Sequence, residues 1–347
     1  FRWPCSGASA TRAVTRDSRT GTIDHTLPIM NSKKVLVTGS SGYLGSQTVA
    51  GLAARADLAV IALDVREPAT RLPGVTYEIA DIRAPEVDAV VGRHRPDVVV
   101  HLASIVTPGK NSNRAFEYDV DVNGTRNLLQ ACVSHGVRRL IVSSSGAAYG
   151  YHADNPEWLT EDDPVRGNDV FAYSCHKRLV EEMLADYRAS HPELEQIVFR
   201  IGTILGPTVR NQITDLFEKP KILAIAGSDS PFVFIHDQDV VGAILHGIDS
   251  RATGIFNVAG DGKLTIFEIA GRLGKSCRVL PAGLLKTALW VLKKLNLTQY
   301  GPEQLDFLRY RPVLLNTRLK NEFGYTPRLS WAQVFDRYRA SRQQRQP

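Results

Sequence analysis

Tyr173 and Lys177 stand four residues apart in Tyr173-Ser174-Cys175-His176-Lys177, inside a stretch that reads as a helix over 170–190. That spacing sets both side chains on one helix face. A lysine ammonium beside a phenol favours the phenolate, so such a pair can pass a proton to and from a hydroxyl near neutral pH. A solvated helix pair has the same spacing, so position has to decide. The helix follows an apolar run that ends Ile141-Val142-Ser143-Ser144-Ser145. Ligands gather beyond the C-terminal ends of strands in open parallel sheets, where Ser145 can offer a hydroxyl to the same point as Tyr173.

A second group of residues suits an anion. In Val35-Leu36-Val37-Thr38-Gly39-Ser40-Ser41-Gly42-Tyr43-Leu44-Gly45 an apolar strand breaks into three glycines spaced three apart, and a helical pattern follows. The glycines let the backbone turn tightly and approach a pyrophosphate. The helix N-terminus adds unpaired N–H groups and a partial positive charge. Another apolar run, Leu58 to Leu63, ends in Asp64. That is about 20 residues past the glycines, where a carboxylate takes the ribose hydroxyls of NAD. Arg66 could accept a 2′-phosphate, but Asp64 would repel one, so NAD is expected rather than NADP.

These groups need a scaffold, and the hydrophobic pattern supplies one. Strands read at 35–38, 58–63, 75–79, 97–102, 138–143 and 196–201; helices read at 43–55, 85–93, 113–135 and 170–190. Runs such as Val98-Val99-Val100 suit strands buried on both faces, and βα alternation implies a doubly wound parallel sheet. After Gly206-Pro207 the alternation lapses into short strands and helices. The expected organisation is a leader or start-site extension at 1–29, a cofactor-binding domain at 30–206 and a mainly substrate-binding lobe at 207–347. Residues 232–258 are expected to return to the core. The leader is rich in Arg, Ser and Thr and has no periodicity. It is expected to be disordered and dispensable. A transit peptide is the sharper reading, and Asp17 and Asp24 weigh against it.

Composition narrows the partners. A formal charge of +6 is modest, and no stripe of Lys and Arg interleaved with aromatics suggests nucleic acid. Cys5, Cys132, Cys175 and Cys277 have neither pairing nor metal spacing. That fits a reducing compartment, and a cytoplasmic location is expected. His176 and His236 have no ligand-spaced partners, and no metal is expected. Leu284 to Leu297 reads as a basic amphipathic helix with Lys286, Lys293, Lys294 and Trp290. Contact with a membrane surface is one reading; core packing with solvated lysines is preferred.

The motifs together resemble a known family. They are Thr38 to Gly45 with Asp64, Asp81-Ile82, His101-Leu102-Ala103-Ser104, Val122-Asn123-Gly124-Thr125, Ser143-Ser144-Ser145 with Tyr149-Gly150, and Tyr173 with Lys177. Arg200 with Gly206-Pro207, Phe234 to Val240, and Phe256 to Gly260 complete the series. The chain resembles the extended short-chain dehydrogenase/reductases, in particular the NAD-dependent epimerase/dehydratase group of UDP-glucose 4-epimerase. The likeness covers roughly residues 33–260 well and the rest loosely. It implies an α/β fold, a Rossmann-type doubly wound parallel sheet with a small C-terminal substrate-binding lobe.

The resemblance also implies roles. Tyr173 would be the general acid–base, Lys177 would hold the nicotinamide ribose and tune Tyr173, and Ser145 would hydrogen-bond the reacting oxygen. Asn123 would be the fourth catalytic member, a helix-interrupting structural or relay group. Gly39, Gly42, Tyr43, Leu44 and Gly45 would cradle the cofactor, Asp81 and Ile82 would line its adenine, and Leu102, Ala103 and Ser104 would pass along its ribose.

Departures from the family pattern bear on the substrate. Thr203 stands where an Asn usually contacts a sugar nucleotide. An Arg that often precedes the Phe-x-x-x-Asp segment and binds the diphosphate is absent from Gly227-Ser228-Asp229-Ser230-Pro231-Phe232; Arg210 or Lys219 could stand in. Gly146 and Ala147 replace the carboxylates of dehydratases, which argues against water elimination. The favoured expectation is a UDP-hexose 4-epimerase acting on a small-molecule nucleotide sugar, with a homodimer possible. A dehydrogenase of a lipid- or sterol-like alcohol is the alternative, and a silent NAD-binding regulator is a third.

Overall fold

The computed structural model describes residues 32–107, 112–295, 297, 301–302 and 304–343, so the expected leader at 1–29 lies outside the described residues. The chain runs β1 (Lys33–Thr38), α1 (Tyr43–Ala53), β2 (Leu58–Asp64), β3 (Val75–Ile79), α2 (Glu86–His94), β4 (Val98–His101) and α3 (Arg114–Tyr118). A π-helical turn (Asp119–Asn123) leads into α4 (Gly124–Ser134), β5 (Arg139–Ser145), α5 (Ala172–Ser190), β6 (Glu195–Ile201) and β7 (Thr203–Leu205). Then come α6 (Gln212–Glu218), β8 (Ile222–Ile225), β9 (Phe234–His236), α7 (Asp237–Asp249), β10 (Gly254–Val258) and α8 (Ile266–Arg272). The last elements are β11 (Cys277–Leu280), α9 (Ala282–Lys294), α10 (Gln304–Arg309), α11 (Thr317–Asn321) and α12 (Trp331–Gln343).

Seven strands pair in parallel in the order β10-β6-β5-β4-β1-β2-β3. The strand order reverses between β1 and β4, so a crevice opens beyond their C-terminal ends. This is a Rossmann-type sheet, and the two-residue period of its strands explains both covered faces. Val35 and Val37 point to one side with Val98, Val100, Ile197 and Phe199, where α1 and α7 bring Leu52, Val240 and Ile244. Leu36 points to the other with Val99, Leu140 and Val198, where α2, α4 and α5 bring Val90, Leu128 and Leu184. Each fully buried Val, Leu or Ile contributes about 1.5–3 kcal/mol. These runs therefore anchor the strand ends that carry the site.

The C-terminal part has its own small core of Phe217, Phe232, Phe234, Phe335 and Tyr338. It is organised by two short parallel pairs, β7 with β9 and β8 with β11.

Two expectations need correction. The helix read at 113–135 is interrupted, because the π turn at Asp119–Asn123 separates α3 from α4. Asp121 and Val122 are buried there, and Asn123 donates to Asp119 Oδ1 at 2.9 Å. Hydrophobic periodicity cannot register one inserted residue when both flanks keep their apolar faces. The amphipathic segment at 284–297 does not pack into a core: α9 contains no buried residue.

Candidate active site

The loop after β1 is shaped by contacts that only glycine permits. Gly39 has φ +69°, and a Cβ there would lie 2.6 Å from the Ala103 nitrogen. A Cβ on Gly45 would lie 2.0 Å from the Gly39 oxygen. The backbone is thus drawn against the end of β4, and α1 opens with Gly42 as an N-cap that makes no side-chain bond. First-turn amides of such a helix have no intrahelical acceptor and face outward as donors. Tyr43 ties this loop to the start of α7, where its hydroxyl donates to Asp237 Oδ2. Burial, then the Asp237 carboxylate, pushes that phenol up to about 12.

Asp64 ends β2 and is itself buried. Its two carboxylate oxygens accept from the Ser41 amide (2.9 Å) and the Arg66 amide (3.1 Å), which fixes their direction.

A cavity of about 1230 Å³ runs from Gly39, Gly42, Tyr43, Leu44 and Gly45 past Leu102 and Ser104 to Ser145, Tyr173 and Lys177. It continues to Thr203, Tyr151, Phe171, Phe307 and Arg311. Pockets for a single small ligand measure roughly 300–1,000 Å³, so this cavity has room for more than one. Asp64, Asp81, Ile82, Ala103 and Asn123 are not in its lining. Ala103 lies directly behind Gly39 and Ile82 behind Gly124. Asp81 is held by Arg83 at 2.6 Å, which keeps its carboxyl below the usual range. Asn123 Oδ1 accepts from Arg126 at 2.6 Å.

Around Ser145, Tyr173 and Lys177 the side chains are held from behind. Lys177 is buried and its ammonium donates to the Ser143 carbonyl at 3.0 Å, which leaves two N–H donors for the cavity. The same ammonium lies 5.7 Å from the centre of the Tyr173 ring. Ser145 Oγ accepts from the Ala147 amide at 3.1 Å, so its own proton remains to donate. Beneath them Glu181 and Arg200 form a buried pair at 2.7 Å. Ser144 Oγ bonds Glu181 at 2.5 Å, and Arg200 reaches the Tyr149 hydroxyl at 2.8 Å. Tyr149 in turn donates to Asn257 Oδ1 at 2.9 Å. The motif residues Arg200, Tyr149 and Asn257 thus brace the β5 end that carries Ser145.

His101, at the end of β4, bridges Thr38 (2.7 Å) and Thr125 (2.9 Å). Burial, then the charge of Lys177, lowers its imidazole to about 3, so it is neutral in the fold. The unfolded chain takes up that proton near pH 6.5. Below that pH the unfolded state binds more protons, so stability falls on acidification. Unfolding free energy from urea melts is expected to drop by about 2 kcal/mol between pH 6.5 and 5 from this group alone. His101→Gln should reduce that slope by one proton. An unchanged slope in the variant would exclude His101 as its source.

The family profile described as "NAD dependent epimerase/dehydratase family" matches residues 35–259. The chain belongs to that family. Over 183 residues it is 34% identical to UDP-glucose 4-epimerase of Erwinia amylovora, a match spanning 50% of this chain and 53% of that one. The chain thus spans about half the length of that curated epimerase. Over 316 residues it is 27% identical to an uncharacterized protein of Mycobacterium tuberculosis (strain ATCC 25618 / H37Rv), covering 88% of this chain and 83% of that one. The solved structure of the Thermus thermophilus UDP-glucose 4-epimerase in complex with NAD superposes with a TM-score of 0.70 at 25% identity, covering 90% of this chain and all of that one. A Thermotoga maritima UDP-glucose 4-epimerase with UDP-glucose shares the fold at 18% identity, with a TM-score of 0.69 over 90% of this chain and 99% of that one.

This member of the epimerase/dehydratase family is an NAD-dependent enzyme. Its residues fit the cofactor: a glycine cradle that any Cβ would fill, open helix amides beside it, and a carboxylate at the end of β2. NAD, when bound, supplies a reversible hydride acceptor.

Reading the sequence missed Arg311. Its guanidinium is sandwiched between Phe232 and Phe307, 4.1 and 4.2 Å from the ring centres. Nε and Nη2 are buried without a hydrogen-bond partner, and no ion pair reaches the residue among the described residues. Burial lowers it to about 10. Of the two other basic residues expected near the diphosphate, Arg210 lines the cavity but is exposed, and Lys219 is not in the lining. Nothing local in Arg309-Tyr310-Arg311-Pro312 marks the third of these residues, because its isolation is a property of tertiary packing.

Proposed function

We propose that this enzyme epimerises a hexose carried on a nucleoside diphosphate, with Tyr173 taking a proton from a sugar hydroxyl and returning it. Arg311 carries the reading. A buried guanidinium without a carboxylate is costly, and a cavity that contains one is built for an anion. A diphosphate matches the planar fork of an arginine and its charge. Ser145 donates to the reacting oxygen, and Lys177 holds the ribose of the cofactor beside Tyr173. Asn123 supports this end of the cavity through the π turn. The absence of carboxylates at Gly146 and Ala147 sets the reaction apart from elimination.

A second reading rests on the aromatic wall. Phe307 packs edge-on against Tyr151 and Phe171, which are tilted to each other; the centroids lie 5.0–5.6 Å apart, and this wall would suit an apolar alcohol in a net dehydrogenation. One assay separates the two. NAD-loaded protein is incubated with UDP-galactose while sugar products and absorbance of the reduced cofactor are followed. Epimerisation yields UDP-glucose without accumulating NADH. Inertness toward every nucleoside diphosphate hexose tried, with NADH formed from an apolar alcohol, would replace the first reading by the second.

A further inference from the structure

The exposure of α9 has a pattern. Leu284, Ala288, Val291 and Leu295 follow at intervals of four, three and four, which sets them on one stripe of the helix. Leu284 is 60% exposed, Leu295 61% and the following Leu297 70%. Leu285 and Leu289, roughly a quarter to a third of a turn away, are half-buried, so the helix rests on the protein by that edge. An apolar stripe left in water along its length is an interaction surface.

We propose that this face of α9 docks on a lipid membrane with an anionic surface. Charge selects the occupant. Residues 269–302 contain Arg272, Lys275, Arg278, Lys286, Lys293 and Lys294 and no Asp or Glu, although the whole chain has 36 acidic residues. Arg278, Lys286 and Lys294 are exposed and have no ion-pair partner among the described residues. Trp290 is 55% exposed, with the Lys294 ammonium 5.0 Å from its ring centre. Tryptophan with an adjacent cation is the combination that headgroup regions collect.

Geometry agrees. α9 has 13 residues, and no helix among the described residues is long and apolar enough to cross a membrane. A short helix with an apolar stripe and a cationic opposite face lies in the interface plane instead. A second copy seated on the same stripe is the other occupant, and the test below tells it from lipid. α9 packs against α10, whose Phe307 lines the cavity, so docking brings the substrate end of the enzyme to the lipid surface.

The test is co-sedimentation of the NAD-loaded full chain with vesicles of phosphatidylcholine alone and of equimolar phosphatidylcholine and phosphatidylglycerol. Binding to the mixed vesicles only is expected, with a blue shift of emission that Trp290→Phe abolishes. Leu284→Glu with Leu295→Glu should reduce binding at least tenfold. Lys286→Gln with Lys294→Gln should reduce it about 30-fold, from the usual gain of about 1 kcal/mol per basic residue near an anionic surface. Both double variants change exposed positions and should keep NAD affinity and melting temperature. Equal binding to phosphatidylcholine alone would overturn the proposal. So would no binding to either vesicle at low salt, or a dimer in sedimentation velocity that Leu284→Glu dissociates while vesicles go unbound.

Discussion

Tyr173→Phe is expected to lower turnover by about 10²–10⁴-fold, the usual contribution of a positioned acid–base group, while NAD binding is retained. Tyr173 begins α5, lines the cavity and keeps its ring beside the Lys177 ammonium, so the variant loses only one hydroxyl. Stability should change by no more than about 0.5 kcal/mol, as for changes that leave packing intact. In the proposed role the lost interaction is with the reacting oxygen, so kcat and kcat/KM should fall together. Lys177→Met should behave differently. It removes the cation hydrogen-bonded to the Ser143 carbonyl, and both turnover and NAD affinity should suffer. Calorimetry with NAD beside single-turnover rates separates the two phenotypes. Near-full turnover by Tyr173→Phe on an accepted substrate would remove Tyr173 from the chemistry.

The scaffold was legible because its signals are local and repeated. Val35-Leu36-Val37 and Val98-Val99-Val100 are buried on both sides, so an unbroken apolar run reads as a parallel strand without tertiary knowledge. The cradle was legible for the same reason, since Gly39 and Gly45 answer to backbone contacts within one loop and one strand end. What escaped the sequence depends on distant partners. The π turn at Asp119–Asn123 adds no break in composition. The α9 segment has the same amphipathic pattern whether its stripe meets a core or water; only the neighbouring elements decide, and here they leave it uncovered. Arg311 is the extreme case: what sets it apart is that no carboxylate pairs with it among the described residues.

That absence gives the second large effect. Arg311→Met is expected to weaken UDP binding by about 10²–10³-fold, the scale of losing a desolvated, hydrogen-bonded charge contact. NAD affinity should be unchanged, because the glycine cradle is at the other end of the cavity. The ligand-free protein should be as stable as before or more so. The variant deletes a buried cation with no counter-charge among the described residues, and a methionine keeps a polarizable contact with Phe232 and Phe307. Arg311→Lys should recover part of the affinity, since a point charge lacks the bidentate fork. In steady state the loss should fall on KM more than kcat, because the diphosphate is held equally in ground and transition states. Titration calorimetry with UDP and thermal melts without it make the two halves independent. A stable variant that binds UDP as tightly as the parent would exclude Arg311 as the anion site, whereas a variant that fails to fold would show the guanidinium to be structural. The expected combination, affinity lost and stability kept, is what a residue held in an unfavourable environment for its ligand must produce.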